Sequence, residues 1–191
     1  MSLRDQIQAD LKAAMKAREK EKVGVLRVLN SAFKEAEQSK REDLVNKAIK
    51  KHGVKKPSSS SEEDMQAYQQ ALDEAFAAEG VDEAAVLSDD DLLSVIMRLV
   101  KQRQDSIQEA QDVGREDVAA TEQFELDVLQ AYLPEQLSRE EVEAIAQEII
   151  AQTGASGPKD MGKVMGPLMG RLKGQADGKL VNEVVRDLLK G

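Results

Sequence analysis

Apolar residues recur three and four positions apart along nearly the whole chain. Nowhere do apolar and polar residues alternate with period two for long enough to make a strand, so the sequence predicts an all-α fold. Helix signals punctuate the pattern. Ser2 with Asp5 opens a helix carrying Leu3, Ile7, Leu11, Ala14 and Met15 and ending near Arg18. A second begins around Glu21 and places Val25, Leu26, Leu29, Ala32, Phe33 and Ala36 on one face. Its apolar spacing thins after Gln38, and Leu44, Val45, Ala48 and Ile49 either extend it or form a short helix of their own.

KKHGVKKPSSSSEED, from Lys50 to Asp64, reads as a linker holding Gly53, Pro57 and four serines. His52 lies inside it and reads as a solvated histidine. Ser61, with Asp64 at the capping-box position, starts a helix with Met65, Tyr68, Leu72, Ala75 and Phe76 on one side, stopping at Gly80. Ser88 followed by Asp89, Asp90 and Asp91 starts another, carrying Leu92, Leu93, Ile96, Leu99, Val100, Arg103, Ile107 and Ala110 to near Gly114. Three successive acids resemble a metal cluster, but neighbours on a helix diverge by about 100°, so capping is the better reading. The next helix runs from about Arg115 with Val118, Thr121, Phe124, Val128, Leu129 and Tyr132 inward, and Leu133-Pro134 breaks it. Ser138 and Glu141 form a capping box ahead of Val142, Ile145, Ala146, Ile149 and Ile150, with Gly154 closing the helix.

Composition removes several function classes. The 191 residues include no Cys, which excludes disulfides, thiolate metal sites and a cysteine nucleophile. One His leaves no partner for a histidine-rich zinc site. No metal, cofactor or membrane span is expected, and the acidic, polar start MSLRDQIQAD lacks a secretory h-region, so a cytoplasmic location is expected. The net charge of −9 argues against nucleic acid, but it is unevenly spread. Residues 1–56 carry +7, residues 57–153 carry −19 and residues 154–191 carry +3. Basic ends thus flank an acidic middle, as either solvated helix faces or docking surfaces for a charged partner.

The most unusual stretch is PKDMGKVMGPLMGRLKGQADGKLVNEVVRDLLKG, from Pro158 to Gly191. Glycines fall every four residues at Gly162, Gly166, Gly170, Gly174 and Gly178, and methionines at Met161, Met165 and Met169. On a helix Met161, Val164, Met165, Leu168, Met169 and Leu172 make a core face, with the glycines opposite. Lys163 and Lys173 share the glycine sector, and Arg171 flanks it. Each helix-interior Gly costs about 1 kcal/mol relative to Ala, so burial does not explain the pattern. The glycines let another helix approach, mark breaks at Pro167 and Gly174, or bare the backbone for a phosphate chain. Asp177 caps a last helix carrying Leu180, Val181, Val184, Val185, Leu188 and Leu189, with Lys179 in its first turn.

Five stretches occur together in one order: KAAMKAREKEKVGVLRVLNSAFKEAE, KQRQDSIQEAQDVGREDV, LDVLQAYLPEQLSREEVE, KDMGKVMGPLM and KGQADGKLVNEVV. In this the chain resembles the GatB/YqeY family over about residues 1–43 and 88–190. The resemblance implies a helical N-terminal domain, 1–133, with an insertion at about 44–87, and a small helical C-terminal domain, 138–191. It also implies kinship with the tail of the B subunit of a tRNA-dependent amidotransferase, a tail that contacts tRNA. A carbon–nitrogen ligase label with glutamine as amide donor would be inherited from that family. The residues supply neither a cysteine nucleophile nor a Gly-rich P-loop.

The sequence therefore predicts a non-catalytic RNA-binding module. Its expected contacts are Lys163, Lys173, Lys179, Arg171, Gly162, Gly166, Gly170, Gly174 and Gly178, and its expected partner is tRNA. The alternative is an adaptor docking on an amidotransferase or translation protein. Basicity clustered on a C-terminal surface favours the first, and an exposed apolar groove the second.

Overall fold

A computed structural model describes residues 2–172 and 174–190. Its helices are α1 (Leu3–Ala17), α2 (Lys20–His52), α3 (Glu62–Ala78), α4 (Val81–Ala85), α5 (Asp89–Asp112), α6 (Glu116–Gln130), α7 (Arg139–Thr153), α8 (Met161–Leu172) and α9 (Gly178–Lys190). A 3-10 turn, Pro158–Asp160, leads into α8. There is no strand among the described residues. The fold is all-α.

Capping explains where several helices begin. The hydroxyls of Ser2, Ser88 and Ser138 each accept the N–H at N3, and their own N–H groups donate to the carboxylates of Asp5, Asp91 and Glu141. At Ser61 only half the box forms. Its hydroxyl accepts from Asp64 N–H, while its own N–H goes to Ser59. Asp89 accepts the Leu3 N–H, and Asp91 binds the Lys40 ammonium at 2.9 Å. Lys40 and the Ser88 N–H hold the Asp91 carboxyl below its usual range.

The apolar residues fall into two clusters. The larger runs from Ile7 through Val25, Leu26, Leu29, Phe33, Leu92, Ile96 and Leu126 to Tyr132. The smaller joins α7, α8 and α9 through Val142, Ala146, Val164, Leu168, Leu172, Val181 and Val185. An Arg139–Asp187 pair ties α7 to α9. Leu137 donates its N–H to the Gln175 carbonyl, and Gln136 Nε2 donates to that of Gly174.

Several expectations are corrected. Helix α2 is unbroken to His52 and is closed by Gly53 at φ +64°. The connection to α3 is therefore shorter than the sequence suggested, and His52 is not a linker residue. His52 Nε2 lies 2.9 Å from Glu79 Oε1, and Lys51 reaches the same carboxylate at 2.8 Å. These partners hold Glu79 below the usual carboxylate range, Lys51 most strongly. Helix α4 was not foreseen, and its Val81 and Ala85 are buried. On α6 the inward face is Ala119, Leu126 and Leu129; Thr121 is exposed and Phe124 is 39% exposed.

Candidate nucleic-acid interface

The C-terminal glycines sit on α8 as the periodicity requires. Val164, Leu168 and Leu172 are fully covered, and Gly162, Gly166 and Gly170 face solvent. A Cβ added at any of these three would meet no heavy atom within 4 Å. Among the described residues no other helix fills the gap. Pro167 lies inside α8 without ending it. The methionine stripe is only partly core: Met161 and Met165 are half-buried, but Met169 is 41% exposed.

Gly174 and Gly178 differ from the other three. Gly174 has φ +81°, the left-handed region that favours glycine, and Leu93 Cβ lies 3.5 Å from where its own Cβ would stand. It is a turn residue packed toward α5. Gly178 opens α9.

The cations are held by carboxylates. Lys163 Nζ pairs with Asp160 at 2.7 Å, one turn back, and Arg171 with Glu148 of α7 at 2.7 Å. Lys163 and the Ser156 N–H together hold Asp160 below the usual carboxylate range. Lys179 is exposed and makes no ion pair among the described residues. Its backbone N–H is taken by Asp177 Oδ1 at 2.6 Å. The start of α9 thus carries an anionic cap, with the exposed Lys179 ammonium beside it. Lys173 lies outside the described residues. The structure thus brings Lys163, Arg171 and the three exposed glycines onto one helix, with Lys179 beyond the turn.

Sequence reasoning missed a groove on the other cluster. Between α2 and α6 a cleft of about 480 Å³ is lined by Lys20, Gly24, Val25, Val28, Thr121 and Phe124. It adjoins a larger cleft of about 870 Å³ at the α1–α2 turn, lined by Asp10, Arg18, Lys20, Phe124, Val128 and Tyr132 among others. Val28 is 50% exposed there. Tyr132 donates to Asp10 at 2.8 Å, and burial, reinforced by that carboxylate, pushes its phenol well above the usual range. A glycine at 24 facing an aromatic at 124 was the available signal.

The class is a small all-helical protein with two apolar clusters and a solvent-facing glycine face, and no helix among the described residues is long and apolar enough to cross a membrane. The family follows from comparison. The profile of the Yqey-like protein family matches residues 4–79 and 52–189, and the chain belongs to that family. Both matched spans run through residues 52–79. No curated protein matches the chain.

Proposed function

We propose that this chain is a non-catalytic RNA-binding module, docking tRNA on the outer face of α8 and the start of α9. The observation that carries the reading is the open space over Gly162, Gly166 and Gly170. Three glycines in one twelve-residue helix cost up to about 1 kcal/mol each relative to Ala, and among the described residues nothing uses the room they leave. A sugar–phosphate backbone uses both the room and the flanking cations. Lys163 and Arg171 are paired, but both cations are exposed and such surface pairs contribute little to stability, so phosphate displaces the carboxylates cheaply. Binding is expected to be weak and to fall as salt is added.

The test is a fluorescence titration with tRNA of the wild type and a Lys163→Glu, Lys173→Glu, Lys179→Glu variant, with helical content followed in parallel. The expected result is loss of affinity with the fold retained. Equal affinities, or affinity indifferent to salt, overturn the reading.

The groove around Gly24, Val28 and Phe124 favours a second reading, an adaptor that docks a protein there. A Phe124→Glu variant separates the two. Unchanged tRNA affinity fits the RNA reading, and loss of a co-purifying protein fits the adaptor.

A further inference from the structure

A basic stretch also lies away from the glycine face. Residues 12–34 hold seven cations, Lys12, Lys16, Arg18, Lys20, Lys22, Arg27 and Lys34, and two acids, Glu19 and Glu21, for a net charge of +5. All the cations but half-buried Lys22 are exposed, and none of the seven makes an ion pair among the described residues.

Their placement is regular. On α2, Lys20, Arg27, Lys34 and Arg41 stand seven residues apart, about 10.5 Å each, along one line opposite the buried Val25, Leu29 and Ala32. Between Lys20 and Val45, a sector about 100° wide around that line holds Lys20, Val23, Arg27, Ser31, Lys34, Gln38, Arg41 and Val45, with no carboxylate. On α1, Lys12 and Lys16 lie opposite the buried Ile7 and Ala14. The two helices are joined through Arg18 at φ 62° and bridged by a Gln8–Asn30 bond at 2.6 Å. At the far end of the line Arg41 is taken by Asp82 of α4 at 2.9 Å.

We infer that the outer face of the α1–α2 hairpin is a second phosphate-binding surface, one that tracks an RNA backbone. Clustered unpaired cations repel one another, and a chain of net charge −9 has acids to spare for pairing. A polyanion compensates that repulsion by releasing its counterions. RNA fits better than an anionic membrane. A membrane-surface helix inserts an apolar face beside its cations. Here the apolar face of α2, Val25, Leu26, Leu29 and Phe33, is already spent in the larger cluster.

The inference shares its partner class with the proposed function but uses different residues, and the experiment separates them. The probe is an RNA duplex of about 16 base pairs, titrated between about 50 and 200 mM salt. Lys20→Gln, Arg27→Gln and Lys34→Gln together are expected to weaken binding more than about tenfold at the lowest salt and to reduce the log–log salt slope by about three. Lys163→Gln with Lys179→Gln is the comparison. If only the α8–α9 variant loses affinity, this inference fails and the proposed function stands. If only the α2 variant does, the proposed function fails and this inference stands. Should the α2 variant lose helical content, Lys12→Gln with Lys16→Gln reads the same surface, with a slope reduced by about two. An unchanged slope there overturns the inference. So does binding of wild type to phosphatidylserine vesicles with none to the duplex.

Discussion

The α1–α2 hairpin and the α8–α9 pair both turn cations toward solvent, but they manage them in opposite ways. Along the first, Lys12, Lys16, Lys20, Arg27 and Lys34 stand exposed and unpaired. Along the second, Lys163 and Arg171 are matched to Asp160 and Glu148, and the positions between them are stripped to glycine. The first arrangement attracts at a distance and weakens with salt; the second offers close contact once a partner has arrived. Pairing and access, more than the formal charge of a segment, decide what a basic surface does.

The comparison breaks most thoroughly if either scaffold is removed. Phe33→Ala under α2 is expected to cost about 3–5 kcal/mol and Leu168→Ala under α8 about 2–5 kcal/mol, both side chains being almost fully buried. Urea denaturation measures both, and an unshifted midpoint would show that the cluster does not hold its helix. A smaller effect is expected from deleting residues 54–83, because no member of the larger cluster lies there. Unfolding should stay cooperative, with a midpoint above that of Phe33→Ala. Because the deletion removes Asp82 and frees Arg41, the salt slope for duplex RNA should also steepen by about one. A flatter slope would deny that Arg41 belongs to the line.

Two glycine substitutions sharpen the contrast further. Gly174→Ala is expected to destabilise by about 1–2 kcal/mol, since its φ is +81°. Gly170→Ala should instead stabilise by up to about 1 kcal/mol, because the helix is already formed and the space is open. A destabilised Gly170→Ala would mean that the face is filled after all. The smallest effect concerns Glu79. Its carboxyl is held below the ordinary glutamate value of 4.5 by Lys51 and His52. The stability it contributes is thus present above that value and lost as pH falls through the lower folded one. Midpoints of wild type and Glu79→Gln should differ at pH 6 and converge in acid. A constant offset would leave the contact without electrostatic content.

Much of the fold was legible because local chemistry decides it. The serine boxes at Ser2, Ser88 and Ser138, the Gly154 stop and the apolar stripes of α5, α7 and α9 follow from neighbouring residues alone. The unbroken second half of α2 was not legible. It packs on α3 and the short helix α4, where buried side chains are as small as Ala48, Ala75 and Ala85, and such an interface needs few large apolar residues to mark it. Phe124 misled because its spacing suits a core face, yet it looks onto Gly24 and the groove. The glycine face was legible from its period. That Arg171 meets Glu148 was not, since the pair is made across two helices and not along one.

The seam beside Gly174 has a consequence for how such sequences drift. One bond of that seam joins two main-chain groups, Leu137 N–H and the Gln175 carbonyl, and another ends on the Gly174 carbonyl. Any residue supplies a carbonyl, and any but proline supplies an N–H. Positions 137 and 175 can therefore exchange side chains over generations without unfastening the seam. Position 174 has no such licence: its left-handed backbone angle favours glycine there.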